Sequence, residues 1–333
     1  MISDKLNRPI HDLRISIIDR CNFRCPYCMP EGRHSFLKED TRLNFDEIVR
    51  LATLFVKLGV KKLRLTGGEP LLRPNIENLV SRLAQLSGPN DLALTTNGSL
   101  LTEKAVSLKR AGLQRITVSL DALEPEIFKT MSGDKGNVLG VLNGIKAAEE
   151  AGFFSVKINV VVKKGINDRQ ILDIVEYFRG TQHVVRFIEY MDVGTCNHWQ
   201  LEEVLASKDI IRMIDARYPL QAQVANYRGE VSSRYAFEDG KGEVGFISSI
   251  TQPFCGDCSR ARLSTDGKLF TCLFAKDGVD LKIPIRSGAS DNEILDLITK
   301  TWSARTDRYS EERASFIKSQ THTQKIEMFQ IGG

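Results

Sequence analysis

Apolar and polar residues alternate one by one in several short segments of the first two thirds of the chain. Leu13, Ile15 and Ile17 share one side of an extended segment, with Arg14 and Ser16 on the other. Ile116, Val118 and Leu120 oppose Thr117, Ser119 and Asp121, and Val156, Ile158 and Val160 oppose Lys157 and Asn159. Period two predicts strands at 13–18, 62–66, 91–96, 115–120, 156–162 and 184–190. Between them the period lengthens. Ile48, Leu51, Ala52 and Phe55 form a stripe at i, i+3, i+4 and i+7, which predicts an amphipathic helix over 46–58. Thr102 is placed to cap the helix that stops at Gly112, and Gly59 and Gly152 are expected to end two others.

Strands separated by helices imply parallel pairing through right-handed crossovers. A parallel sheet covered on both faces reads as continuous apolar runs, whereas these strands carry a polar face. That pattern fits a partly open barrel, apolar face toward the helices and polar face lining a wet cavity. An antiparallel sheet with one solvated face gives the same alternation, but the long helical connections favour an incomplete, TIM-like (βα)6 barrel. After about residue 218 the texture changes. Residues 224–250 read as hairpin, with turn signals at Arg228-Gly229 and Asp239-Gly240; a helix is expected at 291–302, followed by a polar stretch over 305–325. Two domains are therefore expected, a barrel over 1–220 and an α+β extension over 221–333.

Composition and charge narrow the function. The 333 residues are 42% hydrophobic and 26% charged, which excludes bulk disorder. Their net charge of +4 argues against a nucleic-acid coat or a polybasic membrane binder while permitting a local basic pocket. No apolar run approaches a membrane span and the first residues hold no apolar signal core, so a cytoplasmic chain that binds no nucleic acid and no membrane is expected.

Six of the seven cysteines fall into two groups. Cys21, Cys25 and Cys28 follow the first strand with C-x3-C-x2-C spacing. Three thiolates on one loop can hold three corners of an iron–sulfur cube, leaving one iron open; a zinc site completed by His11 or His34 is the competing assignment. Cys255, Cys258 and Cys272 are spaced C-x2-C-x13-C, which alone suits a structural zinc and, beside the first group, a second cluster with an open iron. Cys196 stands apart and reads as an ordinary free thiol.

The first cysteine group after the first strand resembles the radical S-adenosylmethionine superfamily. The resemblance narrows with residues 21–30 (CNFRCPYCMP), 66–70 (TGGEP), 95–98 (TTNG), 186–191 (RFIEYM), 259–263 (SRARL) and the terminal Gly332-Gly333, and it runs from residues 6–9 (LNRP) to the last residue. Within the superfamily, the chain is similar to the family that cyclises GTP to (8S)-3′,8-cyclo-7,8-dihydroguanosine 5′-triphosphate at the first step of molybdenum cofactor biosynthesis.

That resemblance implies two [4Fe-4S] clusters, on Cys21, Cys25 and Cys28 and on Cys255, Cys258 and Cys272. It implies S-adenosylmethionine contacts at Tyr27, Gly68, Ser119 and Met191. Alternation already nominates Arg14 and Lys157 as inward cations for a triphosphate, and Arg64 and Arg186 stand on neighbouring strands; the resemblance adds Thr95, Arg260, Ala261 and Arg262. Catalytic roles are implied for Arg260, Arg262, Gly332 and Gly333. The implied partners are a low-potential electron donor such as flavodoxin or ferredoxin, cyclic pyranopterin monophosphate synthase as the next enzyme, and a second copy in a homodimer. A peptide-modifying radical enzyme would need a docking element ahead of the barrel, for which the short segment before residue 13 leaves little room. A zinc-stapled nucleic-acid module is disfavoured by the balanced charge.

Overall fold

In the computed structural model, which describes residues 2–32, 34–89, 91–318 and 325–332, the strands are β1 (Asp12–Ser16), β2 (Lys62–Thr66), β3 (Asp91–Thr96), β4 (Arg115–Ser119), β5 (Lys157–Val162), β6 (Val184–Glu189), β7 (Leu220–Gln223), β8 (Ser233–Phe237), β9 (Glu243–Ile247), β10 (Arg260–Leu263), β11 (Lys268–Phe270) and β12 (Val279–Asp280). They form one sheet in the order β12-β11-β10-β1-β2-β3-β4-β5-β6-β9-β8-β7. Its middle is parallel throughout: β10, then β1 to β6, then β9. The barrel is extended at both edges by strands from the last third of the chain, beyond the six read from the sequence.

Helical connections cover one face. The helix Phe45–Lys57 starts at a reciprocal capping box between Asn44 and Glu47 and buries Ile48, Leu51, Ala52 and Phe55. Gly59, Gly112 and Gly152 follow three helix ends with φ of 116°, 98° and 92°, the left-handed stop expected of them. Thr102 differs from expectation: the helix Leu101–Arg110 begins one residue earlier, behind Leu100, with no side-chain cap. A helix at Tyr309–Lys318 lies within the polar stretch over 305–325. The apolar faces of the strands join the helices in one core that includes Leu13, Leu63, Ile116, Ile158 and Phe187.

Strand direction decides where the cysteines go. β9 and β10 are parallel to their barrel neighbours, so β9 ends at the upper mouth, where β1 to β6 end, and β10 starts at the lower mouth. Residues 248–259 lead from β9 to β10 and carry Cys255 and Cys258 to the lower mouth. β11 returns antiparallel to β10 and delivers Cys272 just beyond its end. Cys21, Cys25 and Cys28 follow the upper end of β1. The two groups therefore stand at opposite mouths of one barrel.

Candidate active site

A single cavity of about 280 Å³ runs through the barrel and is lined by all six of these cysteines but not by Cys196.

At the upper mouth, the backbone N–H groups of Cys28 and Met29 both donate to the carbonyl of Cys25 at 3.0 Å, and Arg24 Nη1 donates to the carbonyl of Cys21 at 2.7 Å. Burial pushes the Cys21 thiol up to about 11, and Cys25 and Cys28 well above their ordinary value. Such thiols become thiolates only against a cationic centre. Among the described residues no three His, Cys, Asp or Glu side chains converge closely enough to hold one metal ion. An iron–sulfur cube offers each thiolate its own iron and needs no such convergence. The three thiols on one loop, opening on one cavity, fit three corners of a cube.

The loops beside this mouth are drawn tight. A Cβ on Gly68 would lie 2.2 Å from the Arg20 carbonyl oxygen, and one on Gly67 2.3 Å from that of Ile18. The missing side chains thus let the loops after β1 and β2 pack backbone to backbone, with Gly68 N donating to Ile18 O at 2.7 Å. Glu69 carries the tie onward: its carboxylate accepts from Leu71 N, Thr96 Oγ1 and Asn97 N at 2.9, 2.8 and 2.7 Å. Burial raises Glu69 to about 7 against those donors. Tyr27 donates to Asp121 at 2.7 Å, and burial raises that carboxyl to about 7 as well. Tyr27, Gly68, Ser119 and Met191 all line the cavity.

Cations line the waist. Arg14, Arg64, Lys157, Arg186, Arg260 and Arg262 face inward from five strands, the last two both from β10, with Thr95 among them. Arg64 Nη1 donates to Thr95 Oγ1 at 2.9 Å and Thr117 Oγ1 at 3.1 Å, while Arg186 donates to Asn159 Oδ1 from both Nε and Nη2. Burial, then repulsion from Arg262, Arg64 and Arg260, holds Arg14 well below the usual arginine value. Burial followed by neighbouring cations brings Arg186 and Arg262 to about 9 and Lys157 to about 7. Positive charges packed at mutual cost mark a place for a polyanion. Ala261 lies between two of these arginines on β10, so its side chain turns to the core. Asn159, on the polar face read from the sequence, also lines the waist, as does Lys62, which escaped that reading; Lys62 stands two residues before Arg64 on the same strand face, which was the available signal.

At the lower mouth Arg260 Nη2 lies 3.2 Å from the Cys258 sulfur. Burial alone would raise that thiol, yet Arg260 and Arg305 pull it down to about 6. Among the described residues, Arg8 Nη2 is buried without a hydrogen-bond partner. A thiol depressed by two arginines suits an anionic group there. Gly332 reaches the waist, its carbonyl accepting from Arg262 Nη1, and Gly333 lies outside the described residues. Cys196 donates to Glu327 at 2.9 Å and sits 4.0 Å from the Cys28 carbonyl, closer to the upper mouth than its place in the sequence suggested.

Residues 15–178 match the radical SAM superfamily and residues 183–311 match Molybdenum Cofactor Synthesis C. A GTP 3′,8-cyclase of Xanthomonas axonopodis pv. citri is 53% identical over 100% of this chain and 99% of its own. The chain belongs to the GTP 3′,8-cyclase family. A cyclase of Acidothermus cellulolyticus is 49% identical over 94% of this chain and 89% of its own. Among solved structures, SuiB of Streptococcus suis bound to S-adenosylmethionine aligns with a TM-score of 0.56 at 16% identity, over 80% of this chain and 60% of its own length, a likeness of fold. Membership of the cyclase family, through its radical SAM portion, brings S-adenosylmethionine and a [4Fe-4S] cluster, and the cysteine loop that fits such a cluster is the one at the upper mouth.

Proposed function

We propose that this chain cyclises GTP to (8S)-3′,8-cyclo-7,8-dihydroguanosine 5′-triphosphate, the first step of molybdenum cofactor biosynthesis. The observation that carries the reading is the single cavity with a cysteine triad at each mouth and a ring of buried cations between them. Residues 1–220 would act as the unit that handles S-adenosylmethionine, and residues 221–333 as the unit that completes the nucleotide site.

Cys21, Cys25 and Cys28 would hold the first cluster, and Cys255, Cys258 and Cys272 a second one. When loaded, the first cluster with S-adenosylmethionine supplies one-electron reduction and a carbon-centred radical able to take a hydrogen atom from ribose C3′. The chain does the rest by placement. Tyr27, Gly68, Ser119 and Met191 shape the upper compartment around S-adenosylmethionine. Arg14, Arg64, Lys157, Arg186, Arg260 and Arg262 bind the triphosphate, with Thr95 as a neutral partner beside Arg64. The backbone of Ala261 would close this wall. The barrel wall and the tail as far as Gly332 exclude water from the space where an unpaired electron must survive.

The test is anaerobic incubation with GTP, S-adenosylmethionine and dithionite, followed by chromatography and mass analysis. The hydrogen lost from C3′ is made good by a proton and an electron, so the product is an isomer of GTP that elutes apart from it, formed with 5′-deoxyadenosine. Cleavage of S-adenosylmethionine with GTP recovered unchanged would overturn the reading. No helix among the described residues is long and apolar enough to cross a membrane.

A further inference from the structure

Arginine is seldom fully buried, yet Arg8, in the short segment before β1, has 0% exposure. Its Nε donates to Asp4, and its Nη1 donates to the carbonyls of Cys255 and Asp307, each at 2.8 Å. Its own carbonyl accepts from Trp302 Nε1 at 3.1 Å. A second buried arginine completes the arrangement. Arg305 stacks over the Trp302 ring at 4.6 Å, donates to the Cys258 carbonyl at 2.6 Å and pairs with Asp4 at 3.5 Å and Asp307 at 3.3 Å. Asp307 in turn accepts from Thr271 Oγ1 at 2.6 Å, one residue before Cys272.

These contacts form one hydrogen-bonded unit that reaches the carbonyl of Cys255, the carbonyl of Cys258 and the neighbour of Cys272. Its two arginines and two aspartates balance in charge, so it can be buried without a net ion. Cys255 and Cys258 share one 3-10 turn, Cys258 N donating to the Cys255 carbonyl at 3.2 Å, whereas Cys272 comes from another segment, and nothing in the local sequence sets its distance from that pair. A guanidinium can hold a carboxylate on one edge and two carbonyls on another; an ammonium cannot.

We propose that Arg8 is a positioning residue for the second cysteine triad: it locks the Cys255 turn against Asp4 and Asp307. This rests on the second-cluster reading above. Arg8 touches neither of the substrate compartments assigned there, so its loss acts through the lower mouth alone.

The test uses the full chain, reconstituted anaerobically. Wild type is expected to hold about eight irons, from two four-iron clusters. Arg8→Lys is expected to hold about half of that, to keep the magnetic resonance signal of the reduced first cluster, and to cleave S-adenosylmethionine at the wild-type rate without cyclising GTP. Thr271→Val, which cuts the link beside Cys272 at a less buried position, is expected to keep its iron and alter only the second cluster's signal. Full iron content with an unchanged second signal in both variants would overturn the assignment to Arg8. Wild type holding only about four irons would overturn the second-cluster reading itself, and the role of Arg8 with it.

Discussion

Arg262 Nη1 donates to the carbonyl of Gly332, joining the strand after the second cysteine pair to the end of the chain. Gly332 has a φ of 71°, and a Cβ there would lie 2.1 Å from Thr66 Cγ2 on β2. Glycine is thus required for the tail to lie against the barrel wall. Gly332→Ala is expected to lower cyclisation by about 10²-fold, the scale of a misplacement near 1 Å, while both clusters stay loaded and S-adenosylmethionine is still cleaved. The ratio of 5′-deoxyadenosine to cyclised nucleotide measures this, and a wild-type ratio would remove the tail from the site. Arg262→Ala should give the same uncoupling with weaker GTP binding as well.

Gly68→Ala acts at the other mouth. Its added methyl would meet the Arg20 carbonyl, one residue before Cys21. The loops after β1 and β2 must then separate, and the cysteine loop moves with them. The expected outcome is loss of about half the iron together with loss of S-adenosylmethionine cleavage, since the first cluster is the one displaced. Iron content equal to wild type with cleavage intact would show that the close packing of these loops is dispensable.

The tail is held by a buried charge cluster. Asp192, next to Met191, accepts from Arg313 Nε at 2.9 Å and Lys325 Nζ at 2.8 Å, and from Tyr309. Glu327 adds a second fastening, accepting from Thr195 N at 2.9 Å and Cys196 Sγ at 2.9 Å. Asp192→Asn leaves Arg313 and Lys325 without their counter-charge, a change that costs on the order of 3–5 kcal/mol when a buried partner is lost. We expect a lower unfolding temperature and, below it, a fall in cyclisation larger than the fall in S-adenosylmethionine cleavage. Equal losses in both would mean that Asp192 supports the whole barrel rather than the tail.

Much of this site was legible because inward and outward faces of a strand differ by one residue. Arg14 and Lys157 could be placed on the cavity side from alternation with buried neighbours, and the structure puts both there. β10 carries the same signal, Arg260 and Arg262 alternating with Ala261 and Leu263. Yet its partner β1 lies some 250 positions earlier, and no local pattern announces that pairing. The opposed mouths follow from strand direction, which becomes visible only once β9 and β10 are paired. Arg8 was illegible for a related reason. A buried arginine reads like a surface one until the carbonyls of Cys255 and Asp307 are known to surround it.

Lys157 offers a test of the cation ring by pH. Burial, followed by Arg186, Arg115, Lys62 and Arg64, brings it to about 7 in the empty chain, so it is half charged near neutrality. A bound triphosphate favours the charged form, and above pH 7 binding must therefore take up a proton. GTP affinity should fall as pH rises beyond 7, by at most about tenfold per unit for one linked proton. Folding has the opposite sign. An unfolded lysine stays protonated to its ordinary value near 10.5, so between about 7 and that value the unfolded chain binds more protons, and the empty fold gains stability as pH rises. Calorimetric titration of GTP at pH 8 in two buffers of different ionisation enthalpy counts the proton directly. Lys157→Met should bind GTP more weakly at pH 7, lose the proton uptake and flatten the affinity profile. A variant with the wild-type slope would place the titrating group elsewhere in the ring.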